Sequence, residues 1–244
     1  MASPSINKYV GLGLRPLIIS RNVFHDAPRL RDGARVEASL LRPGSLRSWP
    51  ARRDRTEGPV GKESEWTAPS DDCPNPELWH APDRAGTEVE VSHFLGALCT
   101  VLRPRRVLET GAYRGHSSVP MGRALVGVGH LDTLEVGAAL AEEARAKVEG
   151  LPVTVHEVSS LKFIPEGPLD LIFFDSEYDI RPLEMARFRR FASQRCVWAL
   201  HDSRHDGLRA ALEDLRKSDV VTQVLHLPTP RGLALGRYID PGMA

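Results

Sequence analysis

From about residue 84 the apolar positions of this chain become periodic. "DRAGTEVEVSHFLGALCTVL" (83–102) repeats apolar residues at helical spacing, and "RRVLET" (105–110) follows as a buried strand. "HSSVPMGRALV" (116–126) predicts a helix, with Pro120 tolerated only in its first turn. "HLDTLEV" (130–136) is a strand, and "AALAEEARAKVEG" (138–150) is a helix ended by glycine. Then come strand "PVTVHEV" (152–158), strand "LDLIFFD" (169–175), helix "RPLEMARFRRFA" (181–192), strand "CVWALH" (196–201) and helix "DGLRAALEDLRK" (206–217). The stretch "VVTQVLHLPTPRGLALGRYI" (220–239) predicts a closing hairpin. Strands alternating with helices predict an α/β fold, a doubly wound, mainly parallel sheet with helices on both faces.

Residues 1–83 show no such rhythm and predict an irregular N-terminal extension, with the regular domain spanning 84–244. "RPGSLRSWPARRDRTEGPVG" (42–61) is broken by Pro and Gly. The first 60 residues hold eleven Lys/Arg against five Asp/Glu, the composition of a basic arm. They share the extension with Phe24, Leu40, Leu41, Trp49, Trp66 and Trp79, more apolar bulk than a solvated tail carries. A cover packed on the main domain, meeting the substrate as a lid, is the expectation. The whole chain has 32 basic and 32 acidic side chains, so no global charge points to a nucleic-acid or membrane partner. No leader pattern and no apolar run of roughly 20 residues is found. Cys73, Cys99 and Cys196 lack metal or disulfide spacing and predict reduced thiols in a cytoplasmic protein.

Ligands of such sheets bind beyond the carboxyl ends of the strands. That edge carries Glu109, Glu135, Asp175, His201 and Asp202, which core packing does not explain. After the first strand, "VLETGAYRGHSS" places Gly111 and Gly115 around Tyr113. A dinucleotide fingerprint needs glycine where Tyr113 stands, and a Walker loop needs a Gly-Lys pair that is absent. Glu109 repels phosphate but suits a ligand carrying an ammonium and a sulfonium. Ser117, near the next helix start, suits a carboxylate held by backbone N–H groups. Glu135 ends the second strand, where an acid grips ribose hydroxyls. An amino acid joined to a nucleoside through a cationic sulfur is S-adenosylmethionine.

"LETGAYRGHSSVPMGRAL" resembles the cofactor loop of the catechol O-methyltransferase-like class I methyltransferases, of the form acid-x-G-A-Y-x-G-x-S. The resemblance covers roughly residues 85–240. It implies a Rossmann-like sheet of order 3-2-1-4-5-7-6 with the last strand antiparallel. It implies that Glu109, Gly111, Ala112, Tyr113, Gly115 and Ser117 line the methionine end, that Glu135 binds the ribose, and that Ser159 contacts the adenine. "LIFFDSEYD" is similar to the family's fourth strand, which makes Asp175 a metal ligand beside the cofactor. "WALHDS" ends the fifth strand, where the family carries Asp-Asn as ligands and this chain carries His201-Asp202.

The implied catalytic set is therefore Asp175, His201 and Asp202, holding a divalent metal, Mg²⁺ or Mn²⁺, that acidifies and orients a substrate hydroxyl. Imidazole shifts the preference toward softer ions. His201 is equally a candidate base, since its ordinary pKa lies near neutrality. The family's catalytic lysine position holds Tyr178, which argues against catechol itself, and the His-Asp pair is similar to bacterial relatives acting on sugars and secondary metabolites. His205, Glu177 and Asp179 stand nearby as capping, solvated or mouth residues. The leading expectation is an O-methyltransferase acting on a hydroxylated small molecule, as a monomer or a homodimer. A macromolecular methyltransferase using the basic arm, a non-catalytic cofactor-binding domain and a nicotinamide oxidoreductase stay open as alternatives. No RNA-binding signature and no [DN]-P-P-[YF] motif supports the first, and Tyr113 disfavours the last.

Overall fold

The computed structural model describes residues 73–83 and 85–240. Most of the expected N-terminal cover, residues 1–72, lies outside the described residues. After a short 3-10 turn at Pro76–Leu78 the elements run α1 (Val89–Leu102), β1 (Arg106–Thr110), α2 (Ser118–Leu125), β2 (His130–Glu135), α3 (Ala138–Lys147), β3 (Val153–Glu157), β4 (Leu169–Phe174), α4 (Arg181–Phe188), β5 (Ala192–His201), α5 (Asp206–Lys217), β6 (Val221–Leu227) and β7 (Leu233–Tyr238). They form one seven-stranded sheet of order β3-β2-β1-β4-β5-β7-β6. β7 runs antiparallel to both β5 and β6, and the other pairs are parallel. The order expected from the resemblance is the order observed.

Period-two alternation divides each central strand between two cores. In β4, Leu171 and Phe173 join Val107 of β1 beneath α1 and α2, with Val91, Leu95, Met121 and Leu125. Ile172 and Phe174 join Leu108 and Trp198 on the opposite face, under Leu183 and Phe188 of α4 and Leu212 and Leu215 of α5. Both faces are covered, as a parallel sheet requires. Cys73, Cys99 and Cys196 are buried and form no disulfide. Among the described residues no helix is long and apolar enough to cross a membrane.

Two boundaries differ from the sequence expectation in ways that matter for the site. α1 begins at Val89 rather than near 83, because Thr87 and Glu88 turn their side chains toward Asp175 and His201. β5 begins at Ala192, four residues early, because Ala192 pairs with Leu169 before a register shift.

Candidate active site at the carboxyl edge of the sheet

The turn between β1 and α2 is folded onto the end of β2. Gly111 and Ala112 both donate their N–H to the carbonyl of Leu134, at 3.0 and 2.9 Å. Gly111, Tyr113 and Gly115 all have left-handed backbones, with φ of 82°, 49° and 74°. Tyr113 pays for that conformation as a non-glycine residue, and Glu135 holds it there: Glu135 Oε2 accepts the Tyr113 N–H at 2.8 Å. Its other oxygen accepts the N–H groups of Val136 and Gly137. Ala85, Gly86 and Thr87 roof this turn, closing a cavity of about 20 Å³ over Gly111, Ala112, Tyr113, Ser117 and Asp175. Ser159 follows β3, half-buried, at the same edge.

Glu109 is placed differently from the expectation. It is fully buried and does not reach the cavity. Its carboxyl accepts hydroxyl donors from Ser117 (2.5 Å), Thr133 (2.6 Å) and Ser118, so it braces the start of α2 against β2. The expectation set Glu109 against a ligand ammonium; here its carboxyl faces these three hydroxyls. Burial outweighs those three donors and pushes the carboxyl up to about 7. The unfolded chain releases this proton near pH 4.5 and the folded one near 7, so stability falls as pH rises through that window, by about 3 kcal/mol. Glu109→Gln should flatten that slope in urea denaturations across the window. An unchanged slope would show that Glu109 is not its source.

A second buried acid does similar work and was not legible beforehand. Glu184 of α4 accepts hydroxyls from Thr110 and Ser176, each at 2.8 Å, and from Ser160. Thr110 ends β1, and Ser176 and Ser160 follow β4 and β3, so one carboxyl ties together a strand end and two loops of the edge. Burial pushes its pKa up, against the pull of the hydroxyls and Arg181.

The ends of β4 and β5 carry a buried ion cluster. Asp175 Oδ1 meets His201 Nδ1 at 2.9 Å and Arg181 Nη2 at 3.0 Å. Asp175 Oδ2 accepts the Thr87 hydroxyl at 2.6 Å. His201 Nε2 faces Glu88 Oε2 at 2.5 Å. Asp202 accepts Arg181 Nη1 on one oxygen at 2.8 Å and Arg231 Nε on the other. Arg181 Nε and Nη1 also reach the carbonyls of Ser176 and His201, at 2.6 and 2.7 Å. Tyr178 covers the guanidinium, 5.0 Å from its ring centroid, and stacks on His205. Glu177 and Asp179 are exposed.

No family model matches the chain. A catechol O-methyltransferase from Niastella koreensis is 27% identical over 149 residues, 57% of this chain and 62% of that protein. The chain thus spans less than two thirds of the length of this relative. Among solved structures, the O-methyltransferase TomG of Streptomyces achromogenes, involved in tomaymycin synthesis and in complex with SAM, superposes with a TM-score of 0.56 at 22% identity, over 64% of this chain and 82% of that one. An O-methyltransferase from Bacillus cereus in complex with SAH gives 0.56 at 20% identity, over 64% and 84%. The fold is that of the class I methyltransferases.

Within the class I methyltransferase fold the expected residues fall into two groups. Gly111, Ala112, Tyr113, Gly115, Ser117, Glu135 and Ser159 lie along the ends of β1, β2 and β3. Asp175, His201 and Asp202 lie beyond β4 and β5, and Asp175 also lines the small cavity. The second group was expected to hold a metal, and its donor atoms do converge within 4.8 Å of one another. The set nevertheless does not fit a divalent cation. The Arg181 guanidinium bridges the two carboxylates a cation would bridge, and Arg231 takes the other oxygen of Asp202. Both nitrogens of His201 face carboxylates, so neither is a free lone pair for a metal or a proton. Burial opposes a charge on this ring, but Asp175, Asp202 and Glu88 outweigh it and push its pKa up to about 10. In this arrangement of charges the protonated ring is favoured, whereas a ligand or base was expected.

Proposed function

We propose that the protein is an S-adenosylmethionine-dependent O-methyltransferase that methylates a hydroxyl of a small molecule. One observation carries the reading: the left-handed Gly111–Tyr113–Gly115 turn is clamped to the Glu135 carboxylate at neighbouring strand ends. The ends of β1, β2 and β3 then offer, in order, backbone for an amino acid, an acid for ribose hydroxyls and Ser159 for an adenine. Val136, beside Glu135, is 72% exposed and supplies an apolar surface for a purine face. When bound, the cofactor supplies an electrophilic methyl on a sulfonium, whose transfer to oxygen leaves S-adenosylhomocysteine.

The chain's own work is binding and positioning, which is most of what such a transfer requires. Asp175 belongs both to the turn's cavity and to the ion cluster, so the acceptor oxygen approaches between them. About 20 Å³ holds roughly one water and no methionine. Ala85, Gly86 and Thr87 are the residues that would have to yield to a methionine there. The same reading takes the enzyme to be cytoplasmic, supported by three buried cysteines that form no disulfide. Segment 1–83 is assigned to acceptor choice.

Calorimetric titration with S-adenosylhomocysteine tests the reading, with micromolar binding expected. Glu135→Ala should weaken it roughly 10- to 100-fold, the worth of hydrogen bonds to a charged group, with the far-UV spectrum unchanged. No binding by the unaltered protein would sink the proposal. Binding without methyl transfer to any of a panel of hydroxylated acceptors would favour a cofactor-binding domain without catalysis.

A further inference from the structure

We propose that Arg181 stands in place of the divalent cation, so that this site works without a metal and its acceptor is held as a single hydroxyl rather than a chelating pair of oxygens. The statement about the acceptor rests on the methyl-transfer reading, and the statement about the cation does not.

The geometry is that of a replacement. A divalent ion at these strand ends would bridge Asp175 and Asp202. Arg181 Nη2 and Nη1 bridge them instead, at 3.0 and 2.8 Å. A guanidinium suits this task because its planar fork presents several donors in fixed directions. The formal charge matches as well. Arg181 and Arg231 bring two positive charges to two carboxylates, as a divalent ion would, and His201 and Glu88 close a third pair. An added ion would face Arg181 at close range inside a buried site, where repulsion is weakly screened.

Arg181 is also anchored. It opens α4, with Pro182 next, and its remaining contacts go to backbone carbonyls of Ser176 and His201. It is 3% exposed, with the Tyr178 ring over it. Swinging this guanidinium out to admit a metal would break four hydrogen bonds, two of them to backbone carbonyls that a metal would not replace. With no metal, two vicinal oxygens have nothing to chelate, so a monohydroxylated acceptor serves as well as a diol.

The test uses the full chain, stripped with EDTA and titrated with MnCl₂ by calorimetry and by the Mn²⁺ paramagnetic resonance signal. The expected result is no binding below millimolar concentration and an S-adenosylhomocysteine affinity unchanged by EDTA. Stoichiometric micromolar Mn²⁺ binding that Asp175→Asn removes would overturn the proposal. Arg181→Ala exposes Asp175, Asp202 and His201 together and should gain an Mn²⁺ site at least ten-fold tighter than any in the parent. A folded Arg181→Ala that still ignores Mn²⁺ would also overturn it; if that variant does not fold, the titration of the unaltered protein decides alone. Loss of S-adenosylhomocysteine binding with the Mn²⁺ results as expected would sink the methyl-transfer reading and leave the assignment of Arg181 standing.

Discussion

Gly111→Ala is expected to destabilise the protein by about 3–5 kcal/mol and to abolish S-adenosylhomocysteine binding. Two costs combine at this position. The backbone is left-handed, with φ of 82°, which a side chain opposes by roughly 1–2 kcal/mol. The added Cβ would lie 2.4 Å from the Asp175 carbonyl oxygen, 2.8 Å from its carbon and 2.9 Å from Ser176 Cα. All three are backbone atoms, and none can rotate away. Both chains are pinned: Gly111 N–H binds Leu134 O, and Asp175 N–H binds Thr110 O. Relief would push β4's end away from the turn, taking Asp175 out of the cavity it shares with Tyr113. Gly150→Ala is the control. Its φ is 76°, but a Cβ there meets nothing within 4 Å, so only the conformational cost, about 1 kcal/mol, applies. Equal melting temperatures for the two variants would show that the close approach of β1 and β4 is not the reason for Gly111.

The contrast between those glycines bears on what a sequence discloses. The cofactor edge was legible because its signals are local. A glycine turn, the strand before it and an acid at the end of the next strand fit within residues 107–135. The sheet order followed from a family resemblance carried by the same stretch. The ion cluster was not legible, although three of its members were named. Asp175, His201 and Asp202 are read as a metal set because their strand ends resemble those that hold a metal in the family. Their real partners are Glu88, Arg181 and Arg231, and no local spacing announces a pairing between residues 88 and 201. α4 shows the difficulty most clearly. Arg181, Glu184 and Arg187 recur every three residues, the mark of a solvated stripe. All three are buried, because the end of β1 and the segments after β3 and β4 meet them there. Hydrophobic patterning reports which residues leave water. It says nothing about charges that leave water together.

A cluster of that kind makes Asp202 a sensitive charge, since two guanidiniums depend on it. Asp202→Asn is expected to cost about 3–5 kcal/mol, the usual penalty for stranding a buried ionic partner, and to lower the melting temperature by roughly 10 °C or more. The carboxylate takes Arg231 on one oxygen and Arg181 on the other, with His201 Nδ1 at 3.6 Å. Its removal takes from Arg231 its carboxylate partner and leaves Arg181 with Asp175. The backbone does not confound the test. Asp202 has φ of 55°, and asparagine adopts the left-handed region as readily as aspartate. Burial alone would raise this carboxyl, but His201, Arg181 and Arg231 hold it well below the usual carboxylate range. Its stabilisation is therefore present above the unfolded pKa of roughly 4 and fades as pH falls below it. The parent should lose stability on acidification below that point, and Asp202→Asn should lose much less, having already forfeited the term. Glu213→Gln, which breaks an exposed ion pair with Arg216, should leave the melting curve where it is. If Asp202→Asn also leaves it there, the charges at the ends of β4 and β5 are not balancing one another, and Arg181 does not hold the place assigned to it.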